Sequence, residues 1–194
     1  GELFGFNAFD SRLFFHDDMR IDMRGRSVLW SNEGFTINNV VPKKLTLVNG
    51  ILMTIADSPG GLIPPTSFRA SPTAGRHELI LENVGMILAQ SAILSFTNLN
   101  VTCSRGTNFF SGPAGSNVNF YSALKIDDDA MLVGLSGMQF NMTSSIVSNE
   151  YFQIAPRGRL ALNSSTFTYN RPLRLPFPVS NKNTLSQIVI DGSS

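Results

Sequence analysis

With 194 residues the chain is long enough for one domain with a substantial core and too short for two large ones. Only 15% of its residues are charged and the formal net charge is +1, so no electrostatic footprint for nucleic acid or an acidic membrane stands out. The single cysteine, Cys103, excludes an intrachain disulfide framework and a thiolate zinc site.

His16 and His77 lie in different segments without metal-motif spacing, so neither a metal nor any other cofactor is expected. No run approaches 18 apolar residues, which argues against membrane insertion, and no basic-then-apolar leader opens the chain. The chain has 16 Gly and 10 Pro and is poor in strong helix formers, so short strands with many turns are expected.

Residues 1–26 are rich in aromatics. Phe4, Phe6, Phe9, Phe14 and Phe15 alternate with arginines and aspartates. So much apolar ring surface needs a partner. Two roles fit: a cap on the apolar end of the following domain, or an assembly arm that docks on a neighbouring subunit.

From Ser27 the strand pattern starts. Val28-Leu29-Trp30, Phe35-Thr36-Ile37, Leu45-Thr46-Leu47 and Ile51 to Ile55 are short apolar or β-branched runs. Asn49-Gly50 between two of them is a tight-turn signal. It suits a β-hairpin, and equally a corner between consecutive strands of a coil.

Residues 57–77, with Ser58-Pro59-Gly60-Gly61 and Pro64-Pro65, are expected to form a loop insertion. Arg69 and Arg76 in it are candidate ligand-binding residues for an anion, with His77 beside them. Strand character returns from Glu78 to Cys103, with room for a short helix over Val84 to Ser91. Leu45-x-Leu47-x-Asn49, Leu79-x-Leu81-x-Asn83 and Leu94-x-Phe96-x-Asn98 share one pattern, an alternating pair followed by Asn. Asn tolerates the left-handed backbone that a tight corner demands. Cys103 continues the Leu99, Val101 alternation and is expected to be a small buried hydrophobe. A second loop insertion is expected at 104–116, where Phe109-Phe110 on a Gly-rich stretch offers a ring platform for a sugar.

The clearest repeat follows. Ile126 recurs as Ile154 and Leu132 as Leu160, both after 28 positions, and Phe140 recurs as Phe167 after 27. Polar breaks, Asp127-Asp128-Asp129 and Ala155 to Gly158, fall at the same place in both copies. One turn of a β-solenoid laid on the next accounts for this, because each coil buries its inward residues only against its neighbour. Residues 171–194 hold a proline-rich arm from Arg171 to Pro178, then a last strand at Gln187 to Ile190.

The fold expected is therefore all-β: a parallel β-helix (β-solenoid) over 27–170 with loop insertions and non-solenoid terminal arms. A jelly-roll or β-sandwich is the alternative that the chain length and the Asn49-Gly50 turn permit.

On Ile126, Leu132 and Phe140 over Ile154, Leu160 and Phe167, with Asn49, Asn83 and Asn98 at corners, the chain resembles right-handed parallel β-helix proteins. These include pectate-lyase-like enzymes, phage tailspikes and other virion-attachment proteins, and adhesins. No motif of any one family is matched, so no catalytic residue carries over. The resemblance implies a non-enzymatic structural or binding module of a virion, tail or extracellular surface assembly. Such an oligomer would engage partner subunits through its arms and glycans through its loops. A carbohydrate-active enzyme on the same scaffold is the alternative, and its acids would be Asp127, Asp128 and Asp129, which chemistry at a glycosidic bond would need paired across coils.

Overall fold

A computed structural model describes residues 4–5, 13–30, 35–54, 66–73, 75–88, 93–135, 138–142, 152–163, 165–169 and 187–191. Every strand pair among them is parallel, and no helix occurs among them. This is a β-solenoid. A jelly-roll is overturned, because it requires antiparallel neighbours.

In chain order the strands are β1 (Phe4–Gly5), β2 (Leu13–Phe15), β3 (Met19–Trp30), β4 (Phe35–Ile37), β5 (Lys44–Thr54), β6 (Thr66–Ala70), β7 (His77–Ile87), β8 (Ile93–Thr97) and β9 (Leu99–Ser111). There follow β10 (Asn117–Phe120), β11 (Leu124–Ile126), β12 (Ala130–Gly134), β13 (Gln139–Met142), β14 (Phe152–Ile154), β15 (Arg159–Asn163), β16 (Thr166–Tyr169) and β17 (Gln187–Asp191). The chain alternates between two sheets. The smaller runs β2-β4-β6-β8-β10-β13-β16; the larger runs β1-β3-β5-β7-β9-β12-β15-β17, with β11 between β9 and β14.

The repeat read from the sequence is the register of the structure. Ile126 pairs with Ile154, Leu132 with Leu160 and Phe140 with Phe167. Inward columns run up the coil: Leu45, Leu79, Val101, Leu124 and Phe152 form one. Leu47, Leu81, Cys103, Ile126 and Ile154 form the next, all at 1% exposure or less. Cys103 is thus the small apolar residue expected. Burial, with the charge of Asp127 adding, pushes its thiol pKa up to about 12, so it stays an unreactive thiol. From the smaller sheet Phe35, Phe68, Phe96 and Phe120 stack ring upon ring at 4.1, 5.4 and 5.2 Å, and Phe110 meets Phe96, Phe120 and Phe140 edge-on. Such contacts add about 0.5–1.5 kcal/mol per pair to the burial of the rings.

The long strands of the larger sheet bend in mid-course, and the bend is a column of left-handed residues. Asn49 (φ 50°) in β5 and Asn83 (φ 58°) in β7 hold it, then Gly106 (φ 63°) in β9 and Asp129 (φ 60°) just before β12. Asn83 Nδ2 donates to Asn49 Oδ1 at 3.4 Å. Asn98 (φ 57°) turns a different corner, from β8 into β9. Unequal spacing in the three Asn patterns follows: Asn49 and Asn83 share a corner separated by a long loop, and Asn98 sits on another side. Asn49-Gly50 is a corner within one strand, not a hairpin.

Several boundaries differ from the sequence reading. Coil pairing starts at β1, inside the segment expected to be a cap or docking arm, because β1 pairs with β3, β2 with β4 and β3 with β5. It runs on past residue 170, since β17 pairs with β15. Val84 to Ile87 belong to β7 and not to a helix, and residues 66–70 of the first loop form β6. Residues 104–111 of the second loop are the end of β9, so only 112–116 interrupt the strands there.

Candidate functional site

The corner column divides the outer face of the larger sheet into two halves of different chemistry. Before the corner the strands alternate, apolar inward and polar outward except at Val48 and Ile80. The outward positions carry Arg20, Lys44, Glu78, Glu82, Thr102 and Lys125. They bond across coils. Arg20 donates to both oxygens of Glu82 at 3.1 and 2.8 Å. Thr102 Oγ1 donates to Glu78 at 2.8 Å, and Lys44 lies 3.6 Å from the same carboxylate. The Arg20 hydrogen bonds hold Glu82 below its ordinary carboxylate range against the opposing effect of burial.

The acidic cluster belongs to this scheme. Asp127 pairs with Lys125 at 2.8 Å, raising the lysine's pKa mainly through that hydrogen bond. Asp128 Oδ1 accepts the Arg157 N–H at 3.0 Å, and Asp129 pairs with the Arg157 guanidinium at 3.0 Å. The three carboxylates thus serve two residues, Asp127 engaging Lys125 on its own coil while Asp128 and Asp129 both engage Arg157 on the next. They tie coil to coil at the corner. Among the described residues no group of three or more His, Cys, Asp or Glu is placed to hold a metal ion.

After the corner the alternation ends, and apolar residues face outward as well as inward. Leu29, Met53 and Ile87 form one outward column and Ile51, Phe109 and Val133 lie in the next, with Ala161 following Val133. The Phe109 ring lies on Gly85, where any Cβ would collide with it. A parallel sheet buried on both faces carries continuous apolar runs. Ile51-Leu52-Met53, Gly85-Met86-Ile87-Leu88 and Met131-Leu132-Val133 are such runs.

The remaining candidates separate. Phe109 and Phe110 are consecutive strand residues on opposite faces, so they form no common platform: Phe110 is fully buried in the ring stack. Arg69 is exposed on β6, where it pairs with Thr97, and Arg76 donates to Asn98 Oδ1 at 3.3 Å across the adjoining corner. Of the phenylalanines in the leading segment, Phe15 is buried against Phe35 and Phe14 is 55% exposed. Phe4 lies in β1, paired with Val28 of β3, while Phe6 and Phe9 fall outside the described residues. The prolines of 171–178 fall outside them too.

Two polar residues carry more than the sequence suggested. Asn108 is fully buried where the register of β9 against β7 slips. Its Oδ1 accepts the Val84 N–H at 3.0 Å and its Nδ2 donates to Arg105 O at 3.1 Å. His77, also buried, accepts the Lys43 N–H at Nδ1 (3.0 Å), which places its own proton on Nε2, 3.3 Å from Ser71 Oγ. Ser71 Oγ in turn donates to Asn39 O at 2.6 Å, clamping the corner that runs from β4 to β5. Nothing local marks Asn108 in the sequence, where Arg105-Gly106-Thr107 precede it and Phe109-Phe110 follow.

Comparison of the chain with protein-family models, with curated proteins and with solved structures finds no match.

Proposed function

We propose that this chain is a non-enzymatic structural and binding module of a virion or extracellular surface assembly, engaging partner subunits. One observation carries the reading. Each carboxylate whose side chain is described has a cation or a backbone N–H as its partner. Asp17 is held by Lys43, Asp18 by the Lys44 N–H and Asp22 by the Arg24 N–H, in addition to Glu78, Glu82 and Asp127 to Asp129 above. An acid that moves a proton at a glycosidic bond needs a raised pKa or an unengaged carboxylate opposite it. Here the resolved shifts, at Asp17 and Glu82, run downward, each led by the hydrogen bond from its basic partner. Ionic ladders of this kind fix neighbouring coils to one another and give a stiff rod with regular faces, which suits assembly.

The test is release of saccharide ends from a panel of neutral and anionic polysaccharides, run beside thermal melts of the same samples. No release is expected from the wild-type chain. Release by the wild-type chain that Asp127→Asn, Asp128→Asn or Asp129→Asn abolishes, while the variant still melts within a few degrees of wild type, would sink the reading in favour of a carbohydrate-active enzyme.

A further inference from the structure

We propose that the outer face of the smaller sheet, over β8, β10, β13 and β16, is a binding surface for an uncharged polysaccharide. This goes beyond the assembly reading above and does not rest on it.

Alternation builds the face. Phe96 of β8, Val118 and Phe120 of β10 and Phe140 and Met142 of β13 are buried in the core, so the residues between them point outward. The register stacks these into columns: Ser95, Asn119, Asn141 and Thr168 in one, Ile93, Asn117 and Gln139 in the next. Gln139 and Thr168 are exposed, Ile93 is 42% exposed, and Ser95, Asn119 and Asn141 are half-buried. Tyr121 follows Asn119 in the alternation and is 43% exposed, and its N–H donates to Phe96 O at 3.1 Å, which keeps it beside β8.

Two observations choose the occupant. The first is charge. Among the described residues these two columns hold no charged side chain on the four strands, whereas the larger sheet before its corner carries Arg20, Lys44, Glu78, Glu82 and Lys125. Arg69, on β6, lies in a third column with Thr36 and Thr97. A phosphate backbone or an anionic lipid surface thus meets no cluster of cations here. A protein partner takes an apolar centre with a polar rim, and the one apolar residue of the two columns, Ile93, sits at their end.

The second is unspent hydrogen bonding. Asn141 Nδ2 donates to Asn119 Oδ1 at 3.1 Å and to Asn117 Oδ1 at 3.3 Å, which holds the amides in place. Asn119 Nδ2, Asn141 Oδ1, the Gln139 amide and the Ser95 and Thr168 hydroxyls have no partner among the described residues. Donors and acceptors therefore face outward on a neutral grid of about 4.8 Å by 7 Å. A sugar ring offers the matching set: hydroxyls that donate and accept around its rim, and C–H faces that pack on an exposed ring such as Tyr121.

Frontal affinity chromatography of the whole chain, which reads weak binding, tests this on immobilised galactomannan, dextran and laminarin, with polygalacturonate as the charged control. Retardation on at least one neutral column is expected, and added salt should not remove it. Gln139→Glu and Tyr121→Ala should each weaken it about three- to tenfold, the loss of a hydrogen bond or a stacked ring. Thermal melts should not move, because neither side chain bonds within the chain among the described residues. Should either variant fail to fold, Thr168→Glu on exposed β16 tests the same face. No retardation on any neutral column overturns the proposal, as does retardation that Gln139→Glu leaves unchanged. Retention by polygalacturonate alone, released by salt or by Arg69→Ala, would make the ligand an anion and overturn it too. Retardation and saccharide release are separate readouts, so either reading can fail while the other stands.

Discussion

Replacing Asn108 probes how the solenoid tolerates a change of register in its core. Val84 faces the slip between β7 and β9, and the Asn108 amide supplies an acceptor for its N–H and a donor for Arg105 O, with no exposure to water. Asn108→Ala leaves a buried N–H unpaired, at about 1–3 kcal/mol. It removes one of the acceptances of a carbonyl and opens a small void, for about 1 kcal/mol more. The expected loss is about 3 kcal/mol, or a fall in Tm of roughly 6–12 °C for a chain of this size, read by urea unfolding and thermal melts. Asn108→Asp sharpens the test. At neutral pH its carboxylate can accept from Val84 but cannot donate to Arg105 O, and burial raises its pKa above the unfolded value near 4. The protonated form restores the donor. Its contribution to stability is therefore present in full below the unfolded pKa and lost as pH rises through the folded pKa, so the deficit of Asn108→Asp should shrink toward pH 4. An Asn108→Ala variant melting within 2 °C of wild type, or an Asn108→Asp deficit that ignores pH, would refute the bridging role.

At the corner column, Asn83→Ala keeps a positive φ without the side chain that bonds Asn49, and should cost about 1–2 kcal/mol in urea unfolding. Asn83→Gly loses the same bond but relaxes the backbone, and should lie about 1 kcal/mol above the alanine variant. Gly50→Ala places a Cβ against Met23 Cβ and 2.7 Å from Arg26 O, both on a neighbouring strand that cannot yield, and should cost about 3 kcal/mol, against about 1 for Gly115→Ala, whose Cβ meets nothing. Glu82→Gln should lower Tm at pH 7, with the difference fading as pH falls below the ordinary glutamate value of 4.5. The sign follows from the downward shift: stability from a depressed carboxylate is present above its unfolded pKa and lost as pH falls through its folded one.

The sequence carried the solenoid where its coils were of equal length. Ile126 over Ile154 and Leu132 over Leu160 were legible because no insertion separates those positions, and the slip at Phe140 and Phe167 reflects one residue fewer from Leu160 to Phe167 than from Leu132 to Phe140. Elsewhere the same stacking exists at unequal intervals. Leu45 lies over Leu79, which lies over Val101, and loops of different length hide the repeat from any fixed period. The left-handed corners were legible at Asn49, Asn83 and Asn98 because side-chain chemistry marks them; at Arg24 and Asp129 it does not. Reading Phe109-Phe110 as a platform failed because Gly106 and Gly112 suggested a loop, whereas Gly106 is a bend inside a strand. Asp127 to Asp129 were visible as a cluster, but the direction of Asp128 and Asp129 depends on Arg157, 29 and 28 positions away in the chain, and no local pattern encodes that.

The change of chemistry at the corner column has a structural cause. Each long strand of the larger sheet is two half-strands joined by a left-handed bend, one residue in β5, β7 and β9 and the pair Arg24-Gly25 in β3, which resets the direction of the outward side chains. The half before the corner uses its outward positions to pair charges between coils: Arg20 reaches Glu82 two coils away, and Glu78 serves both Lys44 and Thr102. Those pairs supply lateral rigidity at the cost of ordering long side chains. Among the described residues the Leu29-Met53-Ile87 and Ile51-Phe109-Val133 columns after the corner hold no such pairs, and outward apolar columns cannot bond to one another in the same directed way.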